Sequence, residues 1–169
     1  MDTVSTEPAD ILLEKHDDAV SEPVAVRMWL RLLTCSMTIE KRIRRRLNDQ
    51  FETTLPRFDV LAVLDRRAAA MTMGELSQAL LVTGGNLTAL VRQLESQGHL
   101  KMRRDPNDKR SWLVDITPAG RKHFRAVAVE HHHWIGEMFA GMSADHSRHL
   151  YELLAELKKS LAADPRERT

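Results

Sequence analysis

The sequence predicts a mainly α-helical protein with one small β-hairpin, and three observations lead to this fold class. Apolar residues recur at helical spacing over most of the chain between residues 23 and 163. Two short helical segments in the middle are separated by only two or three residues. Two strand-like runs, HLKMRR and RSWLVDIT, follow them and flank a charged turn. Together these features indicate a helix-turn-helix followed by a hairpin, with longer helices on either side.

Length and composition limit the domain count and the class of protein. The chain has 169 residues, 43% hydrophobic and 29% charged, which suits one domain or two small ones sharing a core. No apolar run approaches the length of a membrane-spanning helix, and the amino terminus is acidic where a secretory signal is basic and then apolar. We therefore expect a cytoplasmic protein with no membrane partner. The single cysteine, Cys35, fits a reducing compartment.

The net charge of +1 is unevenly distributed along the chain. Residues 1–23 contain seven acidic residues and one lysine, a sum of −6, so the remainder carries +7. A basic body is typical of nucleic-acid binding, although a solvated basic surface is the alternative. The acidic segment is expected to be flexible.

Two helices are predicted before the helix-turn-helix. The first runs from Pro23 to about Asn48, a stretch with a wide apolar face and no internal glycine or proline. The second runs from about Pro56 to Arg67, with the proline in its first turn.

The helix-turn-helix has clear punctuation. Thr72 and Glu75 have the spacing of a capping box at the start of one helix. Thr83 is expected to cap the next helix, and Gly98 stands where a left-handed carboxyl cap belongs. The second, longer helix is therefore the expected recognition helix.

The hairpin after this helix is interpreted as the wing of a winged helix-turn-helix. Its tip carries Lys109 and Arg110, which can reach phosphates or the minor groove of a duplex, and Asp108 is expected to hold the Arg110 guanidinium through a bidentate hydrogen bond. The alternative is an ordinary hairpin whose charges keep it in solution.

Two further helices are predicted after the wing. Thr117 and Pro118 form a cap and first-turn pair, and Ser143 opens a last helix that carries a leucine stripe. Because such stripes associate, the first and the last two helices are expected to pack together and against a second subunit. The predicted segments are an acidic tail (1–22), a helical dimerisation region (23–55 and 117–163), a winged helix-turn-helix DNA-binding domain (56–116) and a C-terminal tail (164–169).

Residues 71–124 resemble the multiple antibiotic resistance regulator (MarR) family of winged-helix repressors. The family shows Leu-Glu-x-x-Gly after the recognition helix, then Asp-Arg-Arg in the wing and Leu-Thr-x-x-Gly after it. The matching residues here are Leu94, Glu95 and Gly98, then Asp108, Lys109 and Arg110, then Ile116, Thr117 and Gly120. Lys109 departs from the family, where arginine is commoner, and this change matters only for a bidentate contact.

The resemblance implies an obligate homodimer, a repressor that binds a palindromic double-stranded DNA operator and needs no cofactor. The two recognition helices would enter successive major grooves, with the wings in flanking minor grooves. Asn86 is suited to pair with adenine and Arg92 with guanine or a phosphate. The paired glycines indicate either close approach to the DNA backbone or a loosened first turn. The candidate DNA-binding residues are Thr83, Gly84, Gly85, Asn86, Thr88, Arg92, Arg104, Asp108, Lys109 and Arg110.

Family members are usually released from DNA by a small aromatic effector. Residues 27–47 and 54–61 are also similar to the branch that responds to hydroxycinnamoyl or benzoyl thioesters of coenzyme A. The effector is expected between the dimer helices and the winged domain, with arginines for the nucleotide phosphates. The candidate ligand-binding residues are Trp29, Leu33, Met37, Arg44, Arg45, Arg57, Phe58, His131 and Trp134. For each apolar residue of this set, and for Arg57 and His131, a place in the ordinary core is the simpler interpretation.

Four alternatives bear on the same chain. Cys35 is expected to be a buried structural thiol and not a redox sensor. The run His131, His132 and His133 does not fit a metal site, because consecutive helical residues point about 100° apart; pairs such as His133 with Glu137 have usable spacing but no denser cluster. The sequence shows no glycine-rich phosphate loop and no nucleophile motif, so an enzyme is not expected. A winged-helix adaptor for protein partners would differ by lacking salt-dependent duplex binding.

Overall fold

The computed structural model describes residues 22–67, 69–80 and 84–163, and it confirms a mainly helical fold with a small sheet. The described residues fall into two compact units, one ending at Ala128 and one beginning at Val129. In chain order the elements are α1 (Val24–Phe51), α2 (Leu55–Arg66), β1 (Met71–Thr72), α3 (Met73–Leu80), α4 (Gly84–Ser96), β2 (Leu100–Arg104), β3 (Trp112–Ile116), α5 (Pro118–Phe139) and α6 (Ala144–Ala162). The expected C-terminal tail and residues 1–21 of the expected acidic tail lie outside the described residues.

The long helix α1 extends to Phe51, past the end predicted near Asn48. Glu52 follows it with a left-handed backbone, φ 49°, and its N–H donates to the Asn48 carbonyl at 3.1 Å. This conformation is uncommon outside glycine. Such a helix end is normally predicted from a glycine. Position 52 is a glutamate, so the predicted end near Asn48 came too early.

Cys35 is exposed on α1, so the expectation of a buried thiol is wrong for the single chain. The preceding residue, Thr34, is buried. Neighbouring helical residues point about 100° apart, and burial of Thr34 therefore turns the thiol outward.

The sheet has three antiparallel strands in the order β1-β3-β2. In the hairpin, Leu100 pairs with Ile116 and Arg104 with Trp112. The two-residue strand β1 was not predicted, because Met71 and Thr72 are too few to show an alternating pattern and read only as the approach to a helix cap.

One hydrophobic core holds α2, α3, α4 and the sheet together. At its centre the helices and strands contribute aliphatic side chains that are almost fully buried, and each full burial stabilises the fold by about 1.5–3 kcal/mol. Phe58 of α2 and Phe124 of α5 pack beside it with ring centroids 5.4 Å apart. The buried residues of this core are Val60, Leu61, Leu64, Met71, Leu76, Leu87, Val91, Leu94, Leu100, Val114 and Ile116.

The last helix, α6, begins where the sequence predicts. The Ser143 side chain accepts a hydrogen bond from the His146 N–H at 3.2 Å, as a helix cap does. None of the α6 residues is buried, and its leucine stripe is exposed in the single chain: Leu150, Leu153, Leu154, Leu157 and Leu161. Among the described helices, none combines the length and the apolar character needed to cross a membrane.

Candidate nucleic-acid interface

The first helix of the helix-turn-helix, α3, starts at the predicted capping box. The Thr72 N–H donates to Glu75 Oε2 at 2.8 Å, and the Glu75 N–H donates to Thr72 Oγ1 at 3.2 Å. The Thr72 hydroxyl also donates to Glu75 Oε2, at 3.0 Å, and the two bonds from Thr72 to this carboxylate lower the pKa of Glu75, with a smaller contribution from the charge of Arg67. The reciprocal bonds satisfy two backbone donors, so the start of α3 is fixed locally.

The second helix, α4, has the two faces expected of a recognition helix. Leu87, Val91 and Leu94 are almost completely buried in the core. Asn86 and Arg92 are exposed on other faces, as is Thr88. Gly84 and Gly85 form the first turn of the helix, while the predicted cap Thr83 lies outside the described residues.

The end of α4 explains the spacing Leu-Glu-x-x-Gly. Gly98 has a φ of 74°; its N–H donates to the Glu95 carbonyl at 2.8 Å, and the His99 N–H donates to the Leu94 carbonyl at 2.9 Å. This pair of bonds is a Schellman cap. Glu95 Oε1 also accepts from the Met102 N–H at 3.0 Å, on the free edge of β2. The motif therefore ends the recognition helix and ties the wing to it.

The residues after the wing lock onto the same corner. The Thr117 N–H donates to the His99 carbonyl at 3.0 Å, and the Thr117 hydroxyl donates to the Gly98 carbonyl at 2.7 Å. The Gly120 N–H donates back to Thr117 Oγ1 at 3.0 Å. A Cβ on Gly120 would lie 2.1 Å from the His99 oxygen. Only glycine therefore allows α5 to approach this closely.

The wing consists of β2, the loop 105–111 and β3, and side chains organise the loop. Asp105 Oδ1 accepts from the Asn107 N–H at 2.8 Å, and Asp108 Oδ1 accepts from the Arg110 N–H at 2.9 Å. The predicted bidentate bond from Asp108 to the Arg110 guanidinium is therefore wrong for the free chain. An aspartate bonds readily to the backbone N–H two residues on, and this local contact uses the carboxylate.

Arg104 and Trp112 close the base of the wing loop. The Arg104 guanidinium carbon lies 4.4 Å from the centre of the Trp112 ring, and Nη1 donates to the Lys109 carbonyl at 2.9 Å. Sequence reasoning named Arg104 as a DNA contact and missed Trp112. The pairing of Arg104 with Trp112 depends on the hairpin register, in which the seven residues 105–111 separate the two, and the turn predicted at residues 105–108 does not give this register.

Several cations around this wing are available to a ligand. Arg92, Arg103, Lys109 and Arg110 are exposed, and their side chains enter no ion pair with any residue in the described ranges. A cleft of about 510 Å³ opens between α4 and the wing. Its lining residues are Met73, Thr88, Arg92, Glu95, Met102 and Trp112. The exposed face of α4 and the base of the wing are therefore neighbours on one surface.

The predicted apolar ligand residues differ in exposure. Trp29 and Met37 are 57% and 55% exposed on α1, and Leu33 is half-buried. Phe58 is buried against the core, whereas Trp134, 3% exposed, belongs to the second unit.

The predicted ligand-binding arginines already have partners. Arg44 Nε donates to Glu40 Oε1 at 2.8 Å, and Arg45 Nε lies 3.5 Å from Asp49 Oδ2. Arg57 Nη2 donates to Gln93 Oε1 at 3.1 Å and so links α2 to the recognition helix. An anionic effector at these residues has to compete with exposed, solvent-screened contacts, which are weak.

Two pairs of histidine rings lie close together in the described residues, and one member of each pair has a lowered pKa. The His99 and His123 rings stack with centroids 4.4 Å apart, and burial, with His99 as a smaller cause, lowers the pKa of His123. Burial likewise lowers the pKa of His131, with a smaller effect of His132.

A helix-turn-helix, an adjoining wing and exposed cations on the same surface place this chain in the class of winged helix-turn-helix proteins. The chain belongs to the MarR family of transcriptional regulators. The family model matches residues 52–111. The transcriptional activatory protein BadR of Rhodopseudomonas palustris is 30% identical over 137 residues, which cover 79% of this chain and 78% of BadR. The resemblance seen in the sequence is thereby confirmed.

Solved structures of regulators from this family share the fold. Sco3205 of Streptomyces coelicolor, a MarR family regulator in complex with DNA, matches with a TM-score of 0.75 and 19% identity over 87% of this chain and 94% of that one. A mutant of Escherichia coli MarR in complex with operator DNA matches with a TM-score of 0.66 and 26% identity over 75% of this chain and 89% of that one.

Proposed function

We propose that this protein is a ligand-responsive transcriptional repressor that binds a palindromic operator as a homodimer and is released by a small aromatic effector. The observation that carries the proposal is the single surface formed by the exposed face of α4 and the cationic wing. Its support from relatives is the similarity to a MarR protein crystallised on operator DNA.

Base reading is assigned to the exposed face of α4. Asn86 can form a bidentate pair with adenine, and Arg92 can take guanine or a phosphate. Thr88 lies one turn before Arg92 on this helix, so a base edge or a phosphate that meets Arg92 is within reach of both. Gly84 and Gly85 let the first turn approach the DNA backbone without a side chain in the way.

Backbone contact is assigned to the wing. Lys109 and Arg110 are exposed at its tip, and the loop hydrogen bonds already fix their backbone. Asp108 serves here by holding the Arg110 backbone. Neutralising a phosphate releases counterions, so this contact raises affinity for any duplex and falls with salt.

Dimerisation is assigned to the segments 23–55 and 117–163, and DNA binding to 56–116. The support is the apolar surface that the single chain leaves exposed on two helices. On α1 it includes Val24, Met28 and Trp29, and on α6 the five leucines named above. Exposed stripes of this length favour a symmetric contact with a second copy.

The effector is proposed to be an aromatic acid or its coenzyme A thioester, such as a hydroxycinnamoyl or benzoyl thioester. Exposed Trp29 and Met37 offer apolar surface, with Leu33 beside them on α1 and Phe58 on α2. The exposed or half-exposed arginines that can meet carboxylate or phosphate are Arg44, Arg45 and Arg57. The participation of His131 and Trp134 stays a prediction.

DNA binding is tested by fluorescence anisotropy on a labelled duplex from the upstream region of the protein's own gene and on a scrambled duplex. Asn86→Ala should lose discrimination between the two duplexes by about 1–3 kcal/mol. Arg110→Ala should weaken binding to both. The matched control is Arg125→Ala, which removes an exposed cation of α5 and should leave both affinities unchanged. Unchanged affinity in Arg110→Ala, or equal binding of both duplexes by wild type, would overturn the proposal.

The effector is tested by adding p-coumaroyl-CoA, free p-coumarate and benzoyl-CoA in turn to the bound duplex at fixed salt. Release by a thioester but not by the acid supports the coenzyme A branch, and Arg45→Ala should then weaken release without changing operator affinity. If none of the three releases the duplex, the effector class is wrong. A reporter gene behind the upstream region gives the sign of regulation, since a repressor lowers expression and an activator, as BadR is named, raises it.

A further inference from the structure

The strongest unassigned feature is the pair of side chains that closes the wing hairpin. Arg104 is the last residue of β2, Trp112 is the first of β3, and the two are paired in register. At the next position toward the loop, the Asp105 N–H donates to the Ser111 carbonyl at 3.1 Å. Arg104 and Trp112 therefore occupy a non-hydrogen-bonded site, where facing side chains lie closest.

The Arg104 guanidinium makes two contacts at once. Its face covers the Trp112 ring, 4.4 Å from carbon to ring centre, in the geometry of a cation–π pair. Its edge donates to the carbonyl of Lys109, 2.9 Å away. The stack thereby fixes the position of the guanidinium. The guanidinium in turn fixes the backbone of Lys109, whose side chain is one of the two exposed cations at the wing tip.

We infer that Arg104 and Trp112 are positioning residues for DNA binding, acting through Lys109 and Arg110. The inference rests on the proposed function. A seven-residue loop closed by this pair loses less conformational freedom when its cations meet phosphates than a free loop would. Trp112 lines the same cleft as Arg92, so the pair also holds the loop beside the recognition helix.

The DNA test separates positioning from direct contact. Trp112→Ala removes no charge, yet it should weaken operator affinity about tenfold and make the salt dependence shallower by about 0.9 for each lost phosphate contact. Trp112→Phe should restore most of the affinity because a ring face remains. In a Lys109→Ala/Arg110→Ala background, Trp112→Ala should cause no further loss. A direct phosphate contact by Arg104 predicts instead that Arg104→Ala alone lowers the salt slope while Trp112→Ala leaves it unchanged, and this result would overturn the inference.

A second readout needs no DNA and therefore keeps the inference apart from the proposed function. Amide hydrogen exchange of the free protein should speed up in Trp112→Ala and Arg104→Ala at Arg110 and Ser111, whose N–H groups are bonded within the loop. The matched control is Asp115→Asn, which breaks another cross-strand pair of the same hairpin, Lys101 Nζ to Asp115 Oδ2 at 3.3 Å. Unchanged loop exchange in both wing variants would overturn the positioning role of Arg104 and Trp112, whatever the DNA result. Faster exchange in the two variants, together with a wild type that binds no duplex, would uphold the positioning role of Arg104 and Trp112 and overturn the proposed function.

Discussion

Gly120→Ala should destabilise the fold strongly, because the corner between α4, the wing and α5 has no room for a methyl group. The added Cβ would lie 2.1 Å from the His99 oxygen, 2.9 Å from the His99 carbonyl carbon and 3.0 Å from Ile116 Cγ1. Two of these atoms belong to the backbone of His99. Raising the distance between the Cβ and the His99 oxygen to 3.0 Å requires one of the two backbones to shift by about 0.9 Å. The shift costs about 1–3 kcal/mol as overpacking.

The same shift strains the hydrogen bonds at His99. Its carbonyl accepts from the Thr117 N–H at 3.0 Å and lies 3.1 Å from the Thr117 hydroxyl, and each lost bond costs about 1 kcal/mol. The sum is about 3 kcal/mol, or a Tm lowered by roughly 6–12 °C in a chain of this size.

Urea denaturation followed by circular dichroism measures this cost. The control is Gly136→Ala in the same helix, where a Cβ meets no atom within 4 Å in the described residues, so this variant should gain up to about 1 kcal/mol in helix propensity. A loss below about 1 kcal/mol in Gly120→Ala would refute the packing argument, because overpacking alone costs about that much.

Three further outcomes follow from the same elements. Thr72→Ala removes the capping box and should lower the free energy of unfolding by about 1 kcal/mol in urea titrations, whereas Thr72→Ser should retain most of it. Glu95→Ala leaves the Met102 N–H to solvent and should speed its hydrogen exchange, with a stability loss of only about 0.5–1.5 kcal/mol; Glu95→Gln, which keeps an acceptor, should lose less. Because the pKa of His123 is lowered by burial and by His99, the unfolded chain binds more protons just below pH ~6.5, and the free energy of unfolding should rise with pH through that window; His123→Gln should flatten this rise, and an unchanged slope in denaturation curves between pH 5 and 7.5 would contradict the assignment.

The helices, their caps and the wing were predictable because each depends on short-range chemistry. Thr72 with Glu75, Gly98 and Ser143 are signals read within four residues of the position that they fix, and all three hold in the structure. The family motif that includes Gly120 was likewise recognisable in the sequence, although the sequence does not show why a glycine is needed there. The structure supplies that reason for Gly120, whose requirement comes from a carbonyl 21 residues earlier in the chain.

The features that sequence reasoning missed depend on competition or on pairing across the chain. Arg110 offers the Asp108 carboxylate two possible donors, its guanidinium and its backbone N–H. The backbone N–H forms the bond because the turn already holds that N–H close to the carboxylate. The stack of Arg104 on Trp112 becomes visible only once the hairpin register is known. Exposure of Cys35 depends on which face of α1 is buried, and a wide apolar face leaves that choice open.

The salt dependence of operator affinity tests the central claim most directly. Anisotropy titrations on the upstream duplex at several salt concentrations, for wild type and for Lys109→Ala/Arg110→Ala, give the number of phosphate contacts from the slope of log K against log salt. A DNA-binding surface of α4 and wing predicts a steep slope in wild type, shallower by about 0.9 per lost contact in the variant. Identical slopes, or a wild type whose duplex binding ignores salt, would contradict it.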